Sequence, residues 1–521
     1  MSYKVVIPTA GAGNMAGPMS GQINPALAGI GNKPVISYII EQFPKDASFV
    51  IILGYKEDQV RDYLTMAHED TKFEFRTVDR FEGEGAGLGR TLLCCEDLLQ
   101  EPFIFCSDDT IVESKIPLPD HNWMGYMDGG ETDQYRCIQL DSSDNVSEIT
   151  AKGAKGENFL PYIGLAGIKD YKTFWESMKT GAPEIGESIG LRALIPSGVK
   201  GHYFNWSDTG NEKSFEDAKK TLAFDAPVIL EKPDEAIWFV NGKVIKFSLD
   251  ENFIKNRAER AKNLQPYVPE ILASSKNMYM YAMIQGREMS RVANPAMFYN
   301  FLEYMKGFWT VHKLDAAQMQ NFKKGVHKFY RDKTIDRVNQ YFTRFEENDE
   351  ADEINGRTCP KLMDILKKVD WDWLAEGVPV RFHGDLHFEN MLITEDSKRP
   401  FILLDWRQDF AGDLSTGDIY YDLAKLAHGL IISHQLIHQE LFSIDKEGAV
   451  ITYDFLRKHS QIECLDILEE WTLAQGYSHE KTMIITALIF LNIAALHTYP
   501  YSRLLFYLGK NMLWQYLQAK E

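Results

Sequence analysis

Two segments near residue 400 restrict the fold and the chemistry of this chain more than any other feature. Residues 381–390 read Arg-Phe-His-Gly-Asp-Leu-His-Phe-Glu-Asn, and residues 401–406 form an apolar strand followed by Asp-Trp. A polar loop followed by a buried strand can bring Asp385, Asn390 and Asp405 together. Phosphoryl transfer needs such a set, because one carboxylate accepts a hydroxyl proton while an amide oxygen and a second carboxylate hold magnesium.

The order and spacing of these residues resemble those of kinases. Asp-x-x-x-x-Asn is the spacing of the protein-kinase catalytic loop, and Asp405 stands where the metal-binding Asp of Asp-Phe-Gly would be. His-Gly-Asp and Asp-Trp resemble the aminoglycoside phosphotransferase and choline kinase branch, whose members phosphorylate small molecules. The resemblance implies Asp385 as catalytic base, Asn390 and Asp405 as Mg²⁺ ligands, and ATP as co-substrate. The alternative is a capped polar loop beside an ordinary buried strand.

The bulk composition is that of a multidomain globular protein. A chain of 521 residues is too long for one core, so we expect two or three domains. A net charge of -19 argues against binding nucleic acid. The six cysteines form no Cys-x-x-Cys pair and no signal peptide is visible, which indicates a cytoplasmic protein. The longest apolar run, residues 483–496, is too short to span a bilayer, so we expect a buried helix and no membrane insertion. The sequence leaves the oligomeric state open.

The first part of the chain alternates strand and helix patterns. Strands are predicted at residues 5–8, 49–53, 73–78 and 103–106, and helices at 35–43, 57–68 and 89–99. This alternation predicts a parallel sheet with helices on its faces and a ligand at the carboxyl ends of the strands. A glycine-rich loop follows the first strand, Asp108 and Asp109 follow the fourth, and Asp208 follows a later one.

Five motifs in the first 220 or so residues resemble, in their order, those of sugar-nucleotide and phosphocholine nucleotidyltransferases. They are Ala10-Gly11-Ala12-Gly13, Gly31-Asn32-Lys33-Pro34, Gly85-Ala86-Gly87-Leu88, Ser107-Asp108-Asp109 and Trp206-Ser207-Asp208-Thr209-Gly210. The resemblance implies nucleotide binding, with CTP or UTP as candidates, by Ala10, Gly11, Ala12, Gly13 and Gly85. It also implies that Asp109, or Asp108, and Asp208 hold Mg²⁺. The alternatives are a strand-end pair that caps a turn and, at Asp208, an Asx-turn.

This chain lacks two positively charged residues that the family has. The family reads Gly-x-Gly-Thr-Arg and then Pro-Lys-x-Leu, whereas this chain has Met15 in place of the Arg and Ala26 in place of the Lys. Losing a preorganised donor costs about 3 kcal/mol of transition-state stabilisation. Either another lysine compensates, or the domain no longer transfers nucleotides. The candidate lysines are Lys33, Lys152 and Lys155.

A β-hairpin is predicted where residues 236–240 and 243–248 flank Asn241-Gly242. In a kinase-like amino lobe these would be the second and third strands. The resemblance then implies that Lys246 pairs with the nucleotide phosphates, that Glu259 holds this lysine, and that backbone groups of Ala282 and Met283 meet the adenine edge. The alternative for Lys246 is a solvated strand residue.

Acidic residues after Asp405 allow two interpretations. Asp409, Asp413 and Asp418 could line an acceptor site, beside Trp406, for a cationic or polyhydroxylated substrate. They could equally cap turns, which we prefer. Asp422 resembles the structural aspartate that braces the kinase catalytic loop. The acidic, apolar-poor segment 346–356 predicts an exposed loop.

Together these patterns predict an α/β Rossmann-like nucleotidyltransferase domain at residues 1–222, followed by an α+β bilobal kinase-like domain with an amino lobe at 223–286 and a helical carboxyl lobe at 287–521. The predicted function is ATP-dependent phosphorylation of a small metabolite, coupled to its activation by a nucleotide for capsule, lipopolysaccharide or lipid synthesis. The alternative is a small-molecule kinase whose N-terminal domain only binds or regulates. The sequence does not name the acceptor.

Overall fold

The computed structural model describes residues 3–13, 19–129, 132–154, 156, 158–181, 186–222 and 232–519. Within it the chain divides into two compact units, Met1–Ile254 with Leu272–Met283, and Lys255–Ile271 with Ile284–Glu521. The domain borders at residues 222 and 286 stay predictions. Met15 and Lys155 lie outside the described residues.

The strands of the first unit begin with β1, which carries the glycine-rich loop. They are β1 (Lys4–Pro8), β2 (Gly29–Ile30), β3 (Lys33–Pro34), β4 (Ser48–Leu53), β5 (Lys72–Thr77), β6 (Phe103–Cys106), β7 (Thr110–Val112), β8 (Trp123–Tyr126), β9 (Cys137–Leu140), β10 (Val146–Ile149), β11 (Leu160–Ile168), β12 (Lys200–Tyr203), β13 (Trp206–Asp208), β14 (Glu235–Val240), β15 (Lys243–Ser248), β16 (Ile271–Ser274) and β17 (Met278–Ala282). The helices are α1 (Val35–Glu41), α2 (Glu57–Ala67), α3 (Leu88–Leu93), α4 (Tyr171–Thr180), α5 (Ser188–Leu194), α6 (Glu212–Leu222) and α7 (Glu251–Leu264), the last of which continues into the second unit.

A nine-stranded mixed sheet organises this unit. Its main order is β10-β9-β11-β6-β1-β4-β5, in which β6, β1, β4 and β5 run parallel and β11 runs antiparallel to β6. The chain adds β4 and β5 on one side of β1 and then crosses to β6 on the other side. This reversal leaves a crevice at the carboxyl ends of β1 and β6, which is where α/β proteins of this class bind ligands. The predicted Rossmann-like fold is confirmed.

The predicted hairpin is also confirmed. Strands β14 and β15 pair through Asn241 (φ 49°) and Gly242 (φ 70°), two positive φ values that a tight two-residue hairpin turn requires. The hairpin belongs to a second sheet of order β14-β15-β17-β16. Its Trp238 ring packs against Tyr63 of α2 at 5.1 Å, and both side chains lie in one hydrophobic core that also holds residues of β1.

The second unit is mainly helical. Its helices after α7 are α8 (Met289–Val292), α9 (Pro295–Phe308), α10 (Ala316–His327), α11 (Lys333–Phe345), α12 (Leu362–Lys367), α13 (Trp371–Ala375), α14 (Ile419–Ile431), α15 (His434–His438), α16 (His459–Ala474), α17 (His479–Ala494) and α18 (Tyr501–Gln518). Its strands are β18 (Arg287–Glu288), β19 (Asp352–Ile354), β20 (Arg357–Cys359), β21 (Pro379–Val380), β22 (Met391–Ile393), β23 (Phe401–Leu403), β24 (Gly417–Asp418), β25 (Phe442–Glu447) and β26 (Val450–Phe455).

Helix α14 lies at the centre of this unit. Each of its residues is buried, and it packs against α16 and α17. The apolar run at residues 483–496 forms most of α17, a buried helix as predicted. The small sheet β18-β22-β23 lies beside the loop that carries Asp385. The described residues include no helix long and apolar enough to cross a membrane.

The prediction of an exposed loop at residues 346–356 is wrong for part of that segment. Residues 352–354 form β19, which pairs with β20 and β26. Asp352 is 5% exposed and forms an ion pair with Lys510, which is 1% exposed, on α18. A buried charge is tolerated when a partner of opposite sign neutralises it, and that partner lies 158 residues away.

Candidate active sites

The segment 381–390 is a tightly held loop in the second unit. Asp422 of α14 accepts hydrogen bonds from the backbone N–H groups of His383 (2.8 Å) and Gly384 (2.7 Å), and from Trp309 Nε1 (3.0 Å). Gly384 has φ 88°, and a Cβ there would lie 2.6 Å from the Cβ of Arg407, so the loop needs glycine at this position. Asp422 therefore braces the loop, as the kinase resemblance implies.

Asp385 is a half-buried carboxylate with cationic neighbours. Its Oδ1 forms an ion pair with Lys425 Nζ at 2.7 Å, and its Oδ2 lies 3.8 Å from His387 Nε2. Burial alone would raise the pKa of Asp385, but the charge of Lys425 and the hydrogen bond with His387 hold that pKa well below its usual range. Asp385 is therefore ionised over the working pH range of most proteins.

His387 connects Asp385 to Glu389. Its Nδ1 lies 2.9 Å from Glu389 Oε2, and His434 Nδ1 lies 3.6 Å from Glu389 Oε1. Burial would lower the pKa of His387, but its hydrogen bonds with Asp385 and Glu389 outweigh this and raise the pKa to about 9. The protonated imidazole therefore adds a second positive charge beside Asp385.

Asn390 and Asp405 lie on adjoining pieces of backbone. The Asn390 carbonyl accepts from the N–H of Leu404 at 2.8 Å, one residue before Asp405. The Asn390 side-chain nitrogen donates to the Asp385 carbonyl (3.0 Å), which leaves its oxygen as the atom able to bind a metal. Asp405 has a left-handed backbone (φ 55°) and lies 3.2 Å from Arg257 on α7. One amide oxygen and one carboxylate are ligands that suit Mg²⁺.

The residues expected to bind ATP have distinct surroundings. Lys246 is 7% exposed in the middle of β15, so the interpretation as a solvated strand residue is wrong. Glu259 is exposed and pairs with Lys262 at 2.6 Å. The N–H of Met283 donates to the Gly242 carbonyl at 2.8 Å, while Ala282 is exposed at the end of β17. ATP binding by these four residues stays a prediction.

The acidic residues after Asp405 act as caps. Asp409 accepts from the N–H of Gly412 (2.8 Å), and Asp413 accepts from the N–H groups of Ser415 and Thr416 (2.8 Å each). Asp418 caps α14 and accepts from Tyr330 Oη at 2.8 Å. These contacts agree with the preferred interpretation of all three residues.

In the first unit, two carboxylates converge beside Gly210. Strand β13 pairs antiparallel with β7, so that Asp208 lies opposite Thr110, and the Thr209 N–H donates to the Asp109 carbonyl at 3.0 Å. A Cβ at Gly210 would lie 2.5 Å from Asp109 Oδ2 and 3.2 Å from Asp208 Oδ1. Glycine therefore leaves a small space that both carboxylates border.

Asp208 is also the acceptor of an Asx-turn. Its Oδ1 accepts from the Gly210 N–H at 2.9 Å, and its Oδ2 accepts from Tyr135 Oη at 2.8 Å and Asn211 Nδ2 at 3.1 Å. The turn and a metal site are compatible, because each carboxylate oxygen has more than one lone pair. No sequence signal pointed to Tyr135, which lies 73 residues before Asp208.

The acidic groups of this site repel one another. Burial, and then the charge of Asp109, raise the pKa of Asp108 to about 8. Burial also raises the pKa of Asp109, and the charge of Asp208 raises it further. A divalent cation would remove this repulsion, so the donor set fits Mg²⁺.

We expect metal binding at this site to depend on pH. Protons compete with the cation while Asp108 is protonated, so affinity for Mn²⁺ or Mg²⁺ should rise about tenfold per pH unit below pH 8, for one displaced proton. Calorimetric titration with Mn²⁺ at pH 6 and pH 8 measures this effect. Asp208→Asn should weaken binding at both pH values, whereas an affinity independent of pH would contradict the assignment.

The glycine-rich loop lies at the carboxyl end of β1. The Ala10 carbonyl accepts from the N–H of Tyr55 at 2.9 Å, and Ala10 is 2% exposed. Gly11 and Gly13 are exposed, and Ala12 is half-buried. Gly13 has φ 59°, and a Cβ there would meet Pro25 at 2.8 Å, so the chain requires glycine at this position. Phosphate binding by this loop stays a prediction.

The described residues offer two arginines that the sequence reasoning missed. Arg80 and Arg90 each place a guanidinium nitrogen 3.6 Å from where a Cβ of Gly85 would be. By contrast, Lys33 pairs with Glu41 at 2.6 Å, Lys152 is exposed, and Ala26 is 0% exposed in a 3₁₀ helix. Arg80 and Arg90 are therefore better placed than Lys33 to supply charge near Gly85.

Lys425 is the main residue of the second unit that sequence reasoning missed. It follows Asp422 by three positions on α14, so the two side chains lie on one face of the helix. Since Asp422 braces the loop of Asp385, this spacing could have indicated that Lys425 also reaches the loop.

Comparison with known proteins agrees with both halves of this description. Residues 252–439 match the model of the Phosphotransferase enzyme family (APH). The Bifunctional protein GlmU of Methanococcus maripaludis is 22% identical over 219 residues, which cover 40% of this chain and 51% of that protein. The chain thus spans about half the length of this curated relative.

Solved structures with a similar fold include UDP-glucose pyrophosphorylase in complex with UDP-glucose, at 18% identity over 42% of this chain and 98% of that chain, with a TM-score of 0.37. HddC from Yersinia pseudotuberculosis is 19% identical over 42% of this chain and 99% of that chain, with a TM-score of 0.33. The assignment of the fold depends on the sheet order described above and not on these scores.

The chain is an enzyme with a kinase-like domain that matches the phosphotransferase family at residues 252–439, and the preceding part of the sequence is nucleotidyltransferase-like. The family match includes Asp385, Asn390, Asp405 and Asp422, and it begins after Lys246. The recognition of both families from sequence motifs is confirmed.

Proposed function

We propose that this protein uses ATP and Mg²⁺ to phosphorylate a hydroxyl group of a small metabolite, and that its N-terminal domain converts the resulting phosphate into a nucleotide-activated precursor. The kinase proposal depends on one arrangement of residues. The side chain of Asn390 donates to the Asp385 carbonyl, and the carbonyl of Asn390 accepts from the N–H of Leu404, the residue before Asp405. These are the side chains that the reaction requires.

Asp385 would orient the acceptor hydroxyl and receive its proton. Lys425 holds Oδ1 at 2.7 Å, so the carboxylate is both ionised and fixed in place. Its depressed pKa makes it a weak base, which suits a loose transition state in which the acceptor proton leaves late. Positioning of the hydroxyl is then its main contribution.

Asn390 and Asp405 would hold the metal ion. When bound there, Mg²⁺ would supply positive charge that stabilises the transferring phosphoryl group. Lys246, buried in β15, is proposed to pair with the α- and β-phosphates, as the kinase resemblance implies.

The N-terminal activity is supported by Asp109 and Asp208, whose carboxylates border the space at Gly210. Arg80 and Arg90, beside Gly85, could replace the charge lost at positions 15 and 26. A kinase that makes a phosphomonoester and a nucleotidyltransferase that consumes it would act in sequence. We place this pair of reactions in the cytoplasm, in the supply of precursors for surface polysaccharide or lipid.

The kinase proposal is tested by ADP formation. Purified protein with Mg²⁺ and ATP should form ADP faster when the correct sugar, amino alcohol or other alcohol is added, and chelation of Mg²⁺ should abolish this increase. Failure of every acceptor in a broad panel, in a protein that binds ATP, would argue against the assignment.

The alternative is a kinase whose N-terminal domain only binds or regulates, which the residues at positions 15 and 26 favour. Pyrophosphate release separates the two possibilities. CTP or UTP together with the phosphorylated product of the kinase should give pyrophosphate if the domain is active, and Asp208→Asn should stop it. A protein that phosphorylates its acceptor but releases no pyrophosphate with any nucleotide would match the alternative.

A further inference from the structure

We propose that the phosphate acceptor carries an anionic group, a carboxylate or a phosphate, and that Lys333 and Arg407 bind this group beside Asp385. The inference rests on the proposed kinase function and adds the charge class of its substrate. It concerns a cluster of four cations, Lys333, Arg337, Arg407 and Lys425, which we call the basic cluster.

The charged groups of Lys333 and Arg407 both lie against the ring of Phe329. The ammonium of Lys333, at the start of α11, lies 4.4 Å from the centroid of Phe329, and the guanidinium carbon of Arg407 lies 4.8 Å from the same centroid. Two like charges near one ring repel each other, and an anion bound beside them would reduce this repulsion. The ring fixes both cations but neutralises neither.

Among the described residues, no carboxylate lies within ion-pair distance of Lys333 or Arg407, and Arg407 Nε is buried without a hydrogen-bond partner. Burial, followed by the charges of Arg407, Lys425 and Arg337, lowers the pKa of Lys333 to about 6. An anionic ligand would reverse this effect and supply the missing hydrogen-bond acceptors.

Arg407 is tied directly to the catalytic loop. Its backbone N–H donates to the His383 carbonyl at 2.9 Å, and its own carbonyl accepts from the guanidinium of Arg260. Asp385 is the acidic group whose charge acts on Lys333, and Lys425 already pairs with it. Arg407 therefore supplies positive charge beside the loop of Asp385, and Lys333 adds to this charge when a bound anion raises its pKa.

The position of Lys425 favours the acceptor over ATP as the ligand. Lys425 binds Oδ1 of Asp385, whereas the side chain of Asn390, the proposed metal ligand, lies 3.4 Å from Oδ2. The charges that act on Lys333 include Lys425. Lys425 thus lies on the Oδ1 side of Asp385, whereas Asn390 lies nearer to Oδ2.

A cationic acceptor is disfavoured by the same surroundings. The acidic side chains that could attract a cationic acceptor already accept hydrogen bonds from the backbone, because Asp409 and Asp413 cap a turn and Asp418 caps α14. Lys333, Arg337, Arg407 and Lys425 would repel an ammonium group placed beside Asp385.

The test compares matched acceptors at constant Mg²⁺ and ATP. The first set contains glucose, glucosamine, glucuronate and glucose 6-phosphate. The second set contains glycerol, glycerate and glycerol 3-phosphate. We expect kcat/KM for the anionic members to exceed that of their neutral and cationic counterparts at least tenfold. Comparison of glucuronate with glucose 6-phosphate, and of glycerate with glycerol 3-phosphate, distinguishes a carboxylate from a phosphate. Better turnover of a neutral or cationic member would overturn the proposal.

Variants of Lys333 separate a role in acceptor binding from a role in ATP binding. Lys333→Ala should raise KM for the anionic acceptor about 10- to 100-fold, the usual loss for one charge-assisted hydrogen bond, and leave KM for ATP unchanged. Lys333→Arg should restore most of the affinity. Lys324→Ala, at an exposed lysine of α10, is the matched control and should change neither constant. An effect of Lys333→Ala confined to KM for ATP would refute acceptor binding.

A binding measurement keeps the proposal testable without turnover. Inorganic phosphate is titrated calorimetrically into protein saturated with Mg²⁺ and a non-hydrolysable ATP analogue. Phosphate binding that is lost in Lys333→Ala but kept in Lys324→Ala supports the anion site. If such binding occurs while no acceptor is phosphorylated, the kinase proposal fails and the anion site stands. Equal binding by wild type and Lys333→Ala rejects the anion site.

Discussion

Asp385→Asn is expected to lower kcat for ATP-dependent phosphorylation by about 10²- to 10⁴-fold, the usual contribution of a positioned acid–base group. Asparagine keeps the size of the side chain but removes the charge that accepts the hydroxyl proton. Lys425 would then stay near its former position without a counter-charge. Steady-state ADP formation measures the loss, with KM for ATP as a check on nucleotide binding.

The loss of charge at position 385 also affects stability, and this must be separated from catalysis. Lys425 is 8% exposed but Asp385 is only half-buried, so removal of the Asp385 charge should cost less than the roughly 3–5 kcal/mol of a fully buried ion pair. The double variant Asp385→Asn with Lys425→Met removes both charges and should recover part of the stability. Its activity should stay low. Recovery of near-normal kcat in the double variant, or in Asp385→Ala, would end the assignment of Asp385.

Asp422→Ala is expected to release the catalytic loop. The N–H groups of His383 and Gly384 and the indole N–H of Trp309 would all lose their acceptor in a buried place. An unsatisfied buried donor costs about 1–3 kcal/mol, so the loss of the acceptor for three donors should destabilise the loop by at least about 3 kcal/mol. kcat should fall with it, because Asp385 would no longer be held relative to Asn390.

Hydrogen exchange reports this change locally. The amides of His383 and Gly384 should lose most of their protection in Asp422→Ala, while amides in β1 and β4 of the first unit should keep theirs. Asp364→Ala, at an exposed residue of α12, is the matched control and should leave exchange in the loop unchanged. Unchanged protection at His383 and Gly384 in Asp422→Ala would show that another group fixes the loop.

Local sequence chemistry predicted several elements well. Strand β6 was predicted with its observed bounds, and the turn at Asn241-Gly242 was predicted where it occurs. Both signals, a short β-branched or aromatic run and a turn dipeptide, act through residues that are neighbours in the sequence. Helix α3 was predicted too long. It ends at Leu93 and is followed by a 3₁₀ helix at Glu96–Leu98, a break that no glycine or proline marks.

Contacts between distant residues were not predictable. Residues 352–354, expected in an exposed loop, form a strand that pairs with β20 and β26, and Asp352 in this strand is buried in an ion pair with Lys510. The packing of Trp238 against Tyr63 joins the hairpin to the core of the first unit. Each contact joins residues that are more than 150 positions apart, and periodicity or propensity within a short window carries no information about such pairs.

The sequence alone indicated the two families and the alternation of strands and helices in the first unit, and it predicted Asp385, Asn390 and Asp405 as site residues, because the residues of a motif lie close together along the chain. Only the tertiary structure decided which charged side chains lie near Asp385. It brought Lys425 of α14 to 2.7 Å from Asp385 and tied the backbone of Arg407 to His383 in the same loop. Charge acts through space, so the sign of the field at a catalytic group depends on folding and not on sequence distance.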